Sequence, residues 1–272
     1  MKVILALSMA VTMLFSFNET CPEQPLSSKV VNKKGEAEQK PPFTKLLEDA
    51  HKKEVFMSKD AVAYDVEIIF GSKLRMDARI TQSTDGGKIK IDYKNGKQVI
   101  YNGSEVFAIS EKKLSGKERF DIFNWSYFFA MPYKLNDEGT NWAPEAKNKW
   151  GETLFDTSKL TFNDGVGDTP KDWYEVYKNP KTNLLEGTAY IVSFGKSLKK
   201  AESDPHAIKF ADFVNVDDVP FATSWSFHNW NIEEGYKDVI GSAKLSNIKF
   251  ETITEASFAK TEKAVMVSMP NN

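Results

Sequence analysis

The chain has 272 residues, 41% hydrophobic and 27% charged, enough apolar material to bury a sizeable core in one large domain or two small ones. Its formal net charge of −2 leaves no excess of cations to replace the counterions of phosphate, which excludes nucleic acid as an expected partner. A lone cysteine, Cys21, cannot support an internal disulfide framework.

Lys2 precedes an apolar run over residues 3–17 that is too short to span a bilayer comfortably, so residues 1–20 read as a signal peptide. Cys21 follows almost directly. That position suits a bacterial lipoprotein acylation site, with lipidated Cys21 as a membrane anchor. The preceding Asn18-Glu19-Thr20 departs from the aliphatic-then-small pattern of such sites, and the alternative is a secreted protein cleaved nearby. Residues 21–42 are rich in Pro, Lys, Glu, Gln and Ser without apolar period, the composition of a disordered tether. Residues 43–272 are expected to form a single domain.

A helix is predicted over residues 43–57, with Phe43, Leu46, Leu47, Ala50 and Met57 on one stripe and His51 as a solvated helical histidine. After Asp60 the apolar period switches to two. Val62, Tyr64, Val66, Ile68 and Phe70 share one strand face, followed by Leu74, Met76, Ala78 and Ile80, and then by Ile89, Ile91 and Tyr93. Gly71-Ser72, Asp85-Gly86-Gly87, Asn95-Gly96 and Asn102-Gly103 supply the turns. These segments predict a five-strand antiparallel meander with one wet and one apolar face.

That apolar face needs a cover. Residues 118–135 (ERFDIFNWSYFFAMPYKL) are apolar nearly all round, as in a buried helix or one awaiting an apolar partner, and Pro132 marks the end. As a lid, this insert would hinge at Ser115-Gly116 and Met131-Pro132; as a core helix it would be fixed. Residues 150–162 are ambiguous between strand and coil. Asp164 and Asp168 do not fit a calcium loop and read as turn chemistry.

Residues 172–194 (DWYEVYKNPKTNLLEGTAYIVSF) parse as strand, tight polar loop and strand, with Pro180 and the flanking Asn residues making the turn. Residues 196–204 read as a polar loop and residues 206–213 as a strand. In residues 221–230, Phe221, Thr223, Trp225 and Phe227 share one face, and Ala222, Ser224, Ser226, His228 and Trp230 the other. A shift of apolar parity between Leu245 and Ile248 suggests a bulge in the last long strand.

Catalytic signatures are sparse. The three histidines form no zinc-like cluster, no phosphate-binding glycine motif occurs, and Ser226 with His228 lacks an assignable orienting partner or oxyanion loop. No catalytic residue, metal ligand or cofactor site is assigned. Aromatic residues are abundant, and large rings either fill a core or line a cavity for an apolar guest.

The central hairpin resembles the lipoprotein-carrier fold, the Lol-type fold of outer-membrane lipoprotein-sorting proteins. There an aromatic strand precedes a D/N-P-x-T-x-x-L/I-x-G turn, matched here by Asn179, Pro180, Thr182, Leu185 and Gly187. Residues 206–220 (HAIKFADFVNVDDVP) are similar to the strand pair that follows. More closely, the chain resembles an uncharacterised group of bacterial envelope proteins related to those carriers. The resemblance covers roughly residues 43–267 and departs from the carriers in a longer insert over residues 116–168.

This resemblance implies a mainly β (α+β) fold: a strongly curved antiparallel half-barrel sheet of about nine to ten strands, with helices packed on its concave face. It also implies a monomeric, non-enzymatic protein of the periplasm or outer membrane that binds an acyl chain or lipid in the half-barrel. Expected cavity-lining residues are Val66, Ile68, Leu74, Met76, Ile91, Phe123, Phe128, Tyr190, Trp225 and Phe227. A dry cavity between the sheet and the 120–131 helix would favour that reading. Facing carboxylates in a polar cleft would favour an envelope hydrolase, and a filled core a structural or assembly lipoprotein.

Overall fold

The computed structural model describes residues 42–269, so the signal-peptide reading, Cys21 and the tether up to residue 41 lie outside the described residues. The period-two segments all become strands. They are β1 (Ala61–Phe70), β2 (Lys73–Ser83), β3 (Ile89–Tyr93), β4 (Gln98–Tyr101), β5 (Val106–Ile109), β6 (Thr140–Trp142), β7 (Ala146–Trp150), β8 (Thr153–Phe162), β9 (Tyr174–Lys178), β10 (Leu185–Tyr190), β11 (His206–Val216), β12 (Val219–Asn231), β13 (Gly235–Glu251) and β14 (Val265–Met266). They join one antiparallel sheet in the order β14-β5-β4-β3-β2-β1-β13-β12-β11-β10-β9-β8-β6, with β7 paired to β8 and no closure into a barrel. The meander runs as expected from β1 to β5. The last long strand, β13, returns to pair with β1, which joins the meander to the later strands.

The sheet has more strands than the nine to ten expected. The surplus is β6, β7, β8 and the two-residue β14; the ambiguous 150–162 stretch lies mostly in β8, and its Trp150 closes β7. The parity shift in β13 is a bulge, at which Ala63 pairs with Lys249 but Asp65 with Ser246, and Asn247 takes φ 51°.

A second bulge overturns one expectation. Ile68 pairs with Met76, yet Ile69 pairs with Leu74, so Arg75 is the extra residue of β2. One inserted residue reverses the facing of everything beyond it. Leu74 is therefore 61% exposed rather than inward, and Arg75 turns to pair with the helix above.

The concave face carries the helices. The predicted 43–57 helix breaks into α1 (Phe43–Ala50) and α2 (Lys53–Met57), because Lys52 takes a left-handed conformation at φ 58°. His51 sits at that break, and the turn drives its ring inward. It is buried between Tyr133 and Phe213, not solvated, and its Nε2 accepts the Leu185 amide at 2.9 Å. The 118–135 segment forms α3 (Glu118–Ala130) followed by a 3-10 turn, Met131–Tyr133. Phe56 stacks on Tyr133 at 3.7 Å and Tyr64 on Phe129 at 3.9 Å, so the helices and sheet share one core. The polar stretch over 196–204 contains a one-turn α4 (Leu198–Glu202) capped by Ser197.

The opposite face has its own cluster of Trp150, Phe155, Tyr177, Ala189, Ala207 and Trp230. It accounts for the glycine of the hairpin motif. A Cβ on Gly187 would lie 2.1 Å from Trp150 Cζ2 and 2.7 Å from the Ile208 carbonyl, so the indole packs only where no side chain exists.

Candidate functional site

α3 has a sheet-facing side and an outer side, and both are apolar. Ile122, Trp125, Phe128 and Phe129 are buried against the sheet, whereas Phe120, Phe123 and Tyr127 form a second stripe at i, i+3 and i+7.

The start of α3 is fixed. Glu118 is fully buried, and its carboxylate accepts the Ser115 and Gly116 amides at 2.9 Å and the Lys97 ammonium at 3.0 Å. Burial opposes its charge, but the Ser115 amide and the Lys97 partner prevail and hold its pKa at about 2. Asp121, also buried, pairs with Arg75 and accepts the Tyr93 hydroxyl at 2.9 Å. Ser115-Gly116 is thus tied by hydrogen bonds to the first residue of α3.

Along the outer stripe runs a cleft of about 520 Å³. Phe120, Phe123 and Tyr127 line it from α3, and Phe162, Tyr174 and Phe194 from the later strands and their ends. Rings meet across it: Phe120 lies 5.7 Å from Phe194, and Tyr127 lies 5.4 Å from Tyr174. The 163–172 connection edges the cleft and is held to α3 by Arg119, which donates to Asp168 at 2.5 and 2.8 Å. Lys134 pairs with Asp137 at 2.9 Å. The volume fits a small-molecule site, and the lining mixes these rings with polar and charged side chains such as Gln82, Asn124, Arg119 and Asp172.

By contrast, the space between helices and sheet beside His51, Phe128 and Trp225 amounts to about 20 Å³, roughly one water. At that place the helices close on the sheet and leave little room for a guest. Of the ten expected lining residues, Val66, Ile68, Met76, Ile91, Phe128, Tyr190, Trp225 and Phe227 come together as members of the filled core. Phe123 alone lines the cleft, and Leu74 faces solvent. The residues missed were Phe120, Tyr127, Phe162, Tyr174 and Phe194. The available signal was the second apolar stripe of α3, which demanded a partner of its own.

Polar groups mark the cleft as well. Asp172 is 6% exposed and accepts the Ser193 amide at 2.8 Å; burial pushes its pKa up against that hydrogen bond. The Tyr127 hydroxyl is out of reach of solvent with no protein hydrogen-bond partner, and burial, with Asp137 nearby, raises its pKa.

Ser226 and His228 do form a hydrogen bond, at 2.8 Å. The imidazole Nδ1 lies 2.8 Å from the Lys237 carbonyl and so carries the proton, leaving Nε2 to accept the Ser226 hydroxyl. The sequence offered no orienting group; the structure supplies a backbone carbonyl. The pair stands away from the cleft, on the face where Tyr236 covers the imidazole ring at 4.8 Å. Among the described residues no group of His, Cys, Asp or Glu could hold a metal ion, and no helix is long and apolar enough to cross a membrane. Asp164 pairs with Lys171, in keeping with turn chemistry.

Comparisons bear on the fold. A model described as a family of unknown function (DUF6503) matches residues 76–236. No curated protein matches the chain. Among solved structures, a LolA superfamily protein from Nitrosomonas europaea is similar at TM-score 0.52 and 11% identity, covering 80% of this chain and 97% of that one. A DUF1329 family protein from Desulfovibrio piger is similar at TM-score 0.51 and 12% identity, with the same coverage. The open curved sheet with helices on its concave face is therefore a LolA-like fold.

Proposed function

The chain belongs to the DUF6503 family, and from the aromatic cleft along α3 we propose that it is a non-catalytic cell-envelope protein that binds an amphipathic, acyl-bearing ligand. One observation carries the reading. The outer stripe of α3 packs only in part against protein and leaves large rings lining a cleft of about 520 Å³. Burying apolar ligand surface there would stabilise a complex by about 25 cal/mol per Å², before the cost of association.

The remaining parts of the proposal rest on sequence. Residues 43–272 would act as one monomeric domain, exported by the 1–20 leader and tethered through residues 21–42, with Cys21 as the lipid anchor. The filled core under α3 also suits a purely structural protein, and the cleft is what favours binding over that alternative.

The test uses a neutral hydrophobic dye, N-phenyl-1-naphthylamine, displaced by long-chain amphiphiles. Wild type should bind the dye, and Phe123→Lys, which places a charge in the cleft at a half-buried position, should abolish binding at a stability cost of only about 1 kcal/mol. Equal dye binding by a folded Phe123→Lys variant would refute the proposal, as would no binding by wild type.

A further inference from the structure

The polar end of a guest belongs where the cleft still has a buried group without a partner. Most polar groups of the lining are engaged. Arg119 directs Nε and Nη2 at Asp168, and Lys134 donates to Asp137 and to the Asp85 carbonyl at 3.0 Å. Both cations keep spare N–H donors, but both side chains are part-exposed, so water serves those donors. Asp172 accepts the Ser193 amide and the Thr169 hydroxyl, with Lys196 nearby. Ser126 donates to the Ile122 carbonyl, and Tyr101 and Ser104 bond within the 102–104 turn. Asn124 is half-buried and stays hydrated, and the Tyr127 hydroxyl has no surface that a guest could touch.

Two groups remain that are more than nine-tenths buried, open to the cleft and without a partner among the described residues. They are the Gln82 carboxamide and the Tyr174 hydroxyl. Gln82 has the more to gain. It is 2% exposed and lies between apolar cross-strand partners, Val62 and Ile89. A carboxamide carries N–H donors and a carbonyl acceptor, and leaving both unbonded in such a setting costs free energy. A guest hydroxyl can donate to the carbonyl and accept from the N–H. A carboxylate or an ester only accepts, so it would leave the Gln82 carbonyl without a donor.

Resting on the ligand-binding reading, we infer that the cleft takes an acyl-bearing amphiphile whose head group carries free hydroxyls, as a monoacylglycerol does, and that Gln82 is the specificity-determining residue that holds this head group. Gln82 stands near the end of β2, just before the turn whose Asp85 carbonyl receives Lys134. The head group therefore lies toward the C-terminal end of α3, and the chain runs back along Phe123 and Phe120.

Three probes with one twelve-carbon acyl chain decide the matter: monolaurin, methyl laurate and laurate, each measured below its micelle threshold by displacement of the same dye from the full chain. Wild type should prefer monolaurin to both others. Gln82→Met, close in size but without the amide, should weaken monolaurin about five- to tenfold, the worth of one hydrogen bond, and leave methyl laurate and the dye unchanged. Tyr174→Phe should weaken monolaurin less than Gln82→Met does. Thermal unfolding and dye affinity show whether each variant keeps the cleft, and if Gln82→Met does not fold, the wild-type preference decides alone.

Methyl laurate or laurate binding wild type as tightly as monolaurin would overturn the choice of head group. Unchanged monolaurin affinity in a folded Gln82→Met variant, or a larger loss in Tyr174→Phe, would overturn the assignment to Gln82. If no probe displaces the dye, the binding reading itself fails; if all displace it without preference, only this inference does.

Discussion

Replacing Phe128 by alanine separates the core side of α3 from its cleft side. Phe128 is 1% exposed, with Tyr190 at 4.8 Å and Trp125 and Tyr174 each at 6.3 Å between ring centroids. These neighbours belong to a strand-and-helix framework whose start is pinned through Glu118 and Asp121, so little collapse into the hole is available. A buried Phe→Ala change of this kind costs about 3–5 kcal/mol. That is a large share of the roughly 5–15 kcal/mol that holds an ordinary domain folded. Phe123 lies one turn and a half away on the same helix but is half-buried, contacting Tyr101 at 5.0 Å and the Arg119 guanidinium at 5.2 Å. Phe123→Ala should cost only about 1 kcal/mol. Urea unfolding followed by tryptophan fluorescence gives the stabilities, and dye displacement gives binding. The expected pattern is crossed: Phe128→Ala loses stability and keeps the dye, whereas Phe123→Ala keeps stability and loses the dye. A small stability loss in Phe128→Ala together with failed dye binding would mean that the cavity lies under the helix after all.

Acid should destabilise the protein over two overlapping pH windows. His51 titrates at about 6.5 when unfolded and at about 3 when folded, since burial penalises its charge, so its stabilisation is complete above the unfolded value and is lost as pH falls toward 3. Glu118 goes from 4.5 unfolded to about 2 folded, so its contribution is present above 4.5 and is lost between there and pH 2. Stability should drop by about 3 kcal/mol between pH 7 and pH 4, mostly through His51, and less in His51→Gln; a flat profile in wild type would contradict the burial of that ring. Gly187→Ala should destabilise by about 2–3 kcal/mol, because the added methyl collides with Trp150, and an unchanged melting temperature would contradict the close approach. If Cys21 carries the anchor, Cys21→Ser should move the protein from the membrane fraction to the soluble one, and equal partitioning would remove that claim.

Much of the sheet was legible because its signals are local. Val62 through Tyr93 alternate with period two, and the Asn-Gly and Gly-Gly turns cut the alternation into strands, so β1 to β5 follow from the sequence. The bulge at Asn247 was visible as a break in parity within one strand. The bulge at Arg75 was not, because both Leu74 and Met76 keep the apolar alternation, and only the buried Asp121 on α3 draws the arginine inward. His51 shows the same limit. The left-handed Lys52 that ends α1 leaves no mark in composition, and the acceptor role of the imidazole depends on Leu185, far along the chain. The all-round apolar character of α3 announced two partners but could not say which was protein. The far wall of the cleft, Phe162, Tyr174 and Phe194, reaches Phe120 and Tyr127 only because the sheet carries β8, β9 and the stretch after β10 around to the concave side.

The central claim is that the cleft along α3 holds an acyl-bearing guest. It is tested most directly by native mass spectrometry of the protein purified from its own envelope, beside the Phe123→Lys variant prepared in the same way. The account predicts a wild-type species heavier than the polypeptide by the mass of a non-covalently bound amphiphile, released on collisional activation and missing from Phe123→Lys. Wild-type protein carrying no such mass, or a bound lipid retained equally by the variant, would contradict it.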